Sequence, residues 1–288
     1  MLFQGTGVAL VTPFKKDETI DFDALTRITD HCIAGRADYL VVMGTTGEAA
    51  TLSGEENAQV VRHVARQAAG KIPVVAGIGG NDTAKTVETI RHTDFSGISG
   101  ILSVAPYYNR PSQAGLVAHF KAIAAQSPVP VILYNIPGRT GVNMTPETVL
   151  TLARETDNIV AVKEASGMLP QMMEIIRGRP EGFAVISGDD ALTLPLIAVG
   201  GNGVISVAAN AYPQYMSALV REALNHNMAQ AQAVHYRMLA LFEALSADGN
   251  PAGIKAALHL LGLAENVLRL PLVPASRATC EKLRANAL

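Results

Sequence analysis

Short apolar runs alternate with amphipathic segments eight times over the first 225 or so residues, and few architectures can absorb that rhythm. The runs are Val8–Val11, Tyr39–Met43, Ile72–Ala76, Gly100–Val104, Pro130–Tyr134, Ile159–Lys163, Phe183–Ser187 and Gly203–Val207. They are continuously apolar rather than alternating, as strands buried on both faces are. Between them, Asp21–Ala34 carries Leu25, Ile28 and Cys32 at helical spacing. Gly54–Ala69, Thr83–Thr93, Ser112–Gln126, Thr145–Glu155, Leu169–Arg177, Ala191–Val199 and Pro213–Leu224 continue the series of predicted helices. Strands joined by single helices imply right-handed crossovers and a parallel sheet. Eight such units within 288 residues predict a closed (β/α)8 barrel over residues 1–225 rather than a doubly wound sheet. From Met228 the strands stop. Met228–Ala247, Pro251–Leu261 and Ser276–Ala287 predict a helical C-terminal extension over residues 226–288.

Composition narrows the classes of function. Hydrophobic residues make up 49% of the chain and charged residues 17%, which indicates a packed globular protein. A formal net charge of −2 gives no electrostatic footprint for nucleic acid or an anionic membrane. Cys32 and Cys280 are too few and too far apart for a disulfide framework or a zinc site. The start, Met1 to Gly7, has neither the basic nor the apolar region of a signal peptide. The apolar segment Leu192–Ala211 is broken by Gly200, Gly201, Asn202 and Gly203, so no run reaches the length of a membrane span. A soluble, cytoplasmic protein is expected.

In a barrel of this kind, reactive groups sit on the loops at the C-terminal ends of the strands. The unusual polar residues fall there repeatedly: Thr45 and Thr46 after the second strand, Tyr107 and Tyr108 after the fourth, Tyr134 closing the fifth, Lys163 closing the sixth, and Ser187-Gly188-Asp189-Asp190 at the seventh. Lys163 ends the apolar strand Ile159–Val162, where an ammonium is either solvated or held neutral for chemistry. A neutral amine attacks a ketone and forms an iminium, an electron sink for making or breaking the neighbouring carbon–carbon bond. Tyrosine and threonine hydroxyls can relay the protons without burying a net charge. Arg139 could grip a carboxylate with its guanidinium fork.

Each residue also has a plain structural reading. Thr45-Thr46 between glycines suits a tight turn, Tyr107-Tyr108 an aromatic plug or interface patch, and Arg139 a surface ion pair. Gly77 to Gly80 does not match a dinucleotide fingerprint, and Asp189-Asp190 lacks companion ligands for a metal. What the plain readings leave unexplained is the joint arrival of these groups at strand ends.

Five segments together resemble the dihydrodipicolinate synthase family: Gly44-Thr45-Thr46-Gly47-Glu48, Pro106-Tyr107-Tyr108-Asn109-Arg110-Pro111, Tyr134-Asn135-Ile136-Pro137-Gly138-Arg139-Thr140-Gly141, Val162-Lys163-Glu164-Ala165 and Ser187-Gly188-Asp189-Asp190. The likeness runs in order through nearly the whole chain, from Gly7 to Pro271. It implies a lyase that condenses pyruvate with L-aspartate semialdehyde to 4-hydroxy-tetrahydrodipicolinate, on the diaminopimelate route to lysine. By this resemblance Lys163 is the Schiff-base lysine and Tyr134 the general acid/base, with Thr46 and Tyr108 completing the proton relay. Thr45 and Thr46 hold the pyruvate carboxylate, Arg139 the semialdehyde carboxylate, and Gly188 and Ile205 line the pocket. The resemblance further implies a homotetramer, a dimer of dimers in which Tyr108 crosses into the neighbouring subunit's site, and no metal or organic cofactor.

N-acetylneuraminate lyases and keto-deoxy sugar-acid aldolases share the lysine and tyrosine. The neuraminate type usually carries a serine–threonine pair where this chain has Thr45-Thr46, and lacks an arginine matching Arg139. Both differences favour the synthase. A catalytically silent barrel that binds a keto acid is the reading from another class, and the intact lysine–tyrosine–threonine set argues against it. Lysine-inhibited relatives hold lysine with polar and acidic residues at positions matching Ala49, Gly54, Asn57, Asn81 and Lys85. Two of those side chains are lost here and a cation replaces a carboxylate, so weak or absent lysine feedback is expected. Asn250-Pro251-Ala252-Gly253-Ile254-Lys255 departs from relatives that carry a further proline, and bears only on how the extension packs.

Overall fold

The computed structural model describes residues 3–288, so Met1 and Leu2 of the leading segment lie outside the described residues. Within them eight parallel strands close on themselves in sequence order, and the barrel expected from the strand–helix rhythm is present. The strands are β1 Gly5–Ala9, β2 Tyr39–Val42, β3 Val74–Gly77, β4 Gly100–Val104, β5 Val131–Asn135, β6 Ile159–Glu164, β7 Ala184–Ser187 and β8 Gly203–Ser206. Outside them run α1 Phe22–Ala34, α2 Gly54–Ala68, α3 Thr83–His92, α4 Gln113–Gln126, α5 Pro137–Thr140, α6 Pro146–Glu155, α7 Leu169–Gly178, α8 Thr193–Ala198 and α9 Pro213–Leu224. The extension is α10 Met228–Ser246, α11 Ala252–Leu260 and α12 Arg277–Ala285.

Two strands depart from the expectation. The first lies at Gly5–Ala9, not Val8–Val11, because its glycines let it approach β2 where a side chain has no room: Gly7 lies against the Tyr39 ring. Beyond Ala9 the carboxamide of Asn210 takes over, accepting from the Val11 N–H at 3.0 Å and donating to the Ala9 carbonyl at 2.8 Å. The third begins at Val74, since Pro73 has no N–H to give a ladder. At the last seam Ser187 and Val204 are the register pair between β7 and β8, and Asn202 stitches the gap. Its N–H bonds the Val185 carbonyl at 2.8 Å and its side chain accepts from the Val185 N–H at 2.9 Å.

Inside the barrel, Phe3, Tyr39, Val41, Val75, Leu102, Ile132, Ala161, Ala184, Ile186 and Ile205 form one apolar cluster, and a larger one fills the space between strands and helices. A bulge sets which face of β6 looks inward: Val131 pairs with Ile159 but Ile132 with Ala161, so Val160 is skipped. Ala161 and, two residues on, Lys163 then point into the barrel, whereas Val162 and Glu164 face the helices.

Candidate active site

Lys163 and Tyr134 are cross-strand partners at the C-terminal ends of β6 and β5. Both are buried, and the lysine Nζ lies 4.4 Å from the centroid of the tyrosine ring. Gly188, at the end of β7, leaves the space this amine occupies. A Cβ built there would stand 3.1 Å from Lys163 Cε and 2.6 Å from Ala165 Cβ. Ile205 belongs to the same interior cluster as Tyr134. A buried amine thus sits at the end of a largely apolar barrel interior with one phenol beside it, a placement open to nucleophilic amine chemistry.

Behind these two side chains lies a polar layer. Asn135 and Glu164, the residues after Tyr134 and Lys163, are fully buried and face outward, and Asn135 Nδ2 donates to the Glu164 carboxylate. Ser166 Oγ donates to it at 2.5 Å and Gln171 Nε2 at 3.3 Å. Burial pushes the Glu164 carboxyl up, opposed by those donors.

The opposite wall is the loop after β2. It runs through two single helical turns, Thr45–Gly47 and Ala49–Thr51, joined at Glu48 with φ +53°. Thr46 is buried and its hydroxyl oxygen accepts from Asn250 Nδ2 at 2.9 Å, while the Asn250 carbonyl accepts from Arg139 Nη2 at 3.2 Å. Glu48 forms an ion pair with Lys255 of α11, both fully buried. The Lys255 Nζ also donates to the Val267 carbonyl at 2.9 Å and sits 4.0 Å from the centroid of the Phe14 ring. Burial holds the Lys255 amine down to about 8, against the pull of Glu48. The C-terminal extension therefore reaches the site at Asn250 and at Lys255. From sequence, Asn250–Lys255 stands out only for a missing proline and is expected to bear on packing of the extension alone; the structure instead gives both ends of that segment a place against the β2 loop.

The model of the dihydrodipicolinate synthetase family matches residues 2–287. The chain belongs to that family. It is 51% identical over 281 residues to the 4-hydroxy-tetrahydrodipicolinate synthase of Parabacteroides distasonis, covering 98% of this chain and 95% of the relative. The solved dihydrodipicolinate synthase from Thermotoga maritima superposes with a TM-score of 0.97 at 40% identity, over 99% of this chain and 98% of that one. A structure described as the first monomeric dihydrodipicolinate synthase variant does so with a TM-score of 0.97 at 40% identity, over 99% and 96%.

Set against the residues that the family resemblance singles out, the single chain assembles some and leaves others apart. Lys163, Tyr134 and Gly188 are neighbours, and Thr46 and Arg139 are linked through Asn250. Thr45 is half-buried on the same turn as Thr46. Tyr108 is different: it is 91% exposed, with φ +70°, its backbone N–H bonded to the Thr140 carbonyl at 3.3 Å. Met43, Glu48, Tyr108 and Arg110, non-glycine residues with positive φ, all lie on the loops after β2 and β4 at this end of the barrel, where strained backbone concentrates at functional sites. Asp190 has a structural place. Its Oδ2 accepts from the Ala208 N–H at 2.9 Å and the Val207 N–H at 3.2 Å, pinning the chain that leaves β8.

Proposed function

We propose that this chain is a 4-hydroxy-tetrahydrodipicolinate synthase that binds pyruvate as a Schiff base on Lys163 and condenses it with L-aspartate semialdehyde. The observation that carries the reading is the buried Lys163 amine beside the Tyr134 ring at the catalytic end of the barrel. In its neutral form Nζ attacks the pyruvate ketone, the carbinolamine loses water, and the cationic iminium gives up a methyl proton to become an enamine. The enamine carbon attacks the aldehyde carbon of the semialdehyde, whose oxygen takes up a proton. The semialdehyde amine then adds to the iminium carbon and expels Lys163, closing the ring and freeing the enzyme. This route calls for no metal or organic cofactor.

Tyr134 is the group that gives and takes these protons. Thr45 and Thr46 hold the pyruvate carboxylate and Arg139 the carboxylate of the second substrate. Thr46 and Tyr108 extend the relay. Because Asn250 donates to the Thr46 oxygen, the Thr46 proton is free to point at a substrate, which suits an anchor as well as a relay; Thr45→Val and Thr46→Val, compared side by side, separate the two roles. The exposure of Tyr107 and Tyr108 supports an assembly in which Tyr108 enters a neighbouring copy's site, as a homotetramer built from dimers, acting in the cytoplasm.

The test is turnover of pyruvate with L-aspartate semialdehyde, coupled to a reductase that consumes the product, alongside N-acetylneuraminate cleavage and condensation with sugar aldehydes. Semialdehyde turnover that Lys163→Ala abolishes is expected. A borohydride-trapped pyruvate adduct without that turnover would shift the substrate to a sugar-type aldehyde, and neither turnover nor adduct would leave a keto-acid binder.

A further inference from the structure

The ladder between β5 and β6 ends with two successive register pairs of opposite orientation. Tyr134 and Lys163 point into the barrel, and Asn135 and Glu164 point into the helix layer. Past this rung the chains part, one into α5 and the other into the turn at Gly167 with φ +77°. A strand end that frays or slips by one residue would exchange which of Lys163 and Glu164 enters the barrel. β6 already contains one irregularity towards β5, at Val160, whereas its register with β7 runs unbroken from Ala161–Ala184 to Glu164–Ser187, so it is on the β5 side that the last rung needs side chains to fix it.

Side chains complete this last rung. Asn135 Nδ2 donates to Glu164 and, at 2.8 Å, to Asn143 Oδ1, while its own oxygen accepts from the Met144 N–H at 3.0 Å. Asn143 and Gln171 exchange amide bonds at 2.8 and 3.2 Å, and Gln171 and Ser166 donate to the carboxylate. The groups hydrogen-bonded to Glu164 are all neutral, and it takes part in none of the ion pairs among the described residues. A buried carboxylate without a cation is costly, and a glutamine of the same shape would avoid that cost. What glutamine cannot do is accept from three donors with one head group.

We propose that Asn135 and Glu164 are positioning residues for the Schiff-base chemistry: their hydrogen bond locks the register that faces the Lys163 amine and the Tyr134 ring into the barrel side by side. This rests on the pyruvate-lysine reading above. The carboxylate gathers β5, the turn after β6 and α7 around one point behind Lys163 and Tyr134, and the loop before α6 joins through the bonds of Asn143 to Asn135 and Gln171.

The test compares the full-length chain with Glu164→Gln, Asn135→Asp and the double variant Asn135→Asp/Glu164→Gln, which reverses donor and acceptor across the same bond while the Asn143 and Gln171 amides turn to follow. The readouts are the rate of borohydride-trapped pyruvate adduct on Lys163, and kcat and KM separately. Each single variant is expected to lose about tenfold to a hundredfold in kcat and adduct rate with KM for pyruvate nearly unchanged, the scale of a misplaced reacting pair. The double variant is expected to recover at least a third of the lost rate on a logarithmic scale. Singles with wild-type kcat, or a double as poor as the worse single, would overturn the proposal. If the singles do not fold, Gln171→Met, which removes one donor at the helix, must lower kcat severalfold at constant KM, and wild-type kcat in that variant overturns it. A wild-type chain that forms no adduct defeats the Schiff-base reading instead, so the two failures are distinguishable.

Discussion

β2 and β6 stand four places apart in the closed ring, so the two walls of the site face each other across the barrel, and they are held by different means. The β5–β6 wall is held locally by neutral amides and one carboxylate, all between residues 134 and 171. The β2 wall is held from far away in sequence and largely by charge. Asn250, 204 positions from Thr46, steadies its hydroxyl, and Lys255 pairs with Glu48. Arg269 accompanies them: its backbone N–H reaches Glu48 at 3.2 Å, and its guanidinium reaches the Thr51 carbonyl at 3.0 Å and Glu56 at 2.6 Å. The difference divides the labour. Disturbing the first wall should show in the chemical step, and disturbing the second in stability and in pyruvate binding.

The largest effect should come from the β5–β6 wall. Tyr134→Phe keeps the ring that packs beside Lys163 but removes the hydroxyl. Its kcat is expected to fall by roughly 10²–10⁴, the usual worth of a general acid/base, with folding stability little changed and the pyruvate adduct still forming slowly. A kcat within twofold of wild type would take Tyr134 out of the chemistry and end the division of labour.

On the β2 wall the corresponding change is Lys255→Met. It leaves the Glu48 charge buried without its cation, a loss of roughly 3–5 kcal/mol by urea unfolding. Glu48→Gln/Lys255→Met together should recover most of that loss, since removing both partners of a buried pair is often close to neutral. A single variant as stable as wild type would mean that the extension is not anchored here.

These walls also differ in what the sequence reveals. Lys163, Tyr134 and Gly188 were legible because each closes or follows a short apolar strand, and a barrel puts such positions at one end. Strand count and closure followed from the eightfold rhythm. The true start of β1 was not legible, because glycines that permit close approach look like breakers when only hydrophobicity is read. Nor was the bulge at Val160, since a skipped residue leaves no mark on composition. The contacts of Asn250 and Lys255 with the β2 loop stayed hidden for another reason. Their partners are about 200 positions away, and a lysine in an amphipathic-looking helix reads as solvated until the fold shows Glu48 beneath it. Tyr108, 91% exposed, is placed on a loop but finds no reacting partner within one copy.

Asn250→Ala is a gentler probe of the β2 wall. It removes the donor to Thr46 and leaves the backbone carbonyl that accepts from Arg139. One hydrogen bond of about 0.5–1.5 kcal/mol corresponds to a roughly twofold to tenfold rise in KM for pyruvate, with kcat changed less. The reverse split, a fall in kcat at constant KM, would make Asn250 part of the chemistry and blur the two walls.

The pair between Arg269 and Glu56 is partly exposed, so its worth is about 1 kcal/mol or less. Its pH dependence has a definite sign. The Arg269 hydrogen bond first, and the Ser53 N–H next, hold the Glu56 carboxyl down to about 2, below its ordinary 4.5. The unfolded chain takes up this proton more readily, so the stabilisation is complete above pH 4.5 and fades as pH falls towards 2. Glu56→Gln should therefore be less stable than wild type at pH 7, with the two converging below pH 3. A gap that persists at low pH would assign the loss to the capping box that Glu56 forms with Ser53 rather than to charge.

The smallest expected effect is none at all, and it concerns the outer side of the same β2 loop. Where the loop faces the extension it is bound by Asn250, Lys255 and Arg269; facing away, it carries little that could grip a ligand. Ala49 offers no polar side-chain atom, and around Gly54 a Cβ would meet nothing within 4 Å. Lys85, at the start of α3, is well exposed, with its ammonium 3.9 Å from the Asp82 carboxylate. A lysine arriving there would set its own ammonium against a cation, at a helix N-terminus that already disfavours positive charge. Added lysine is thus expected to leave turnover unchanged into the millimolar range. Lys85→Glu would supply the missing carboxylate without touching either wall, and any sensitivity it created would locate the deficit at that one charge. Saturating inhibition of the wild type below millimolar lysine would mean instead that Asn57 and Asn81 suffice to hold the ligand, and that the β2 wall can be reached from outside as well as from the extension.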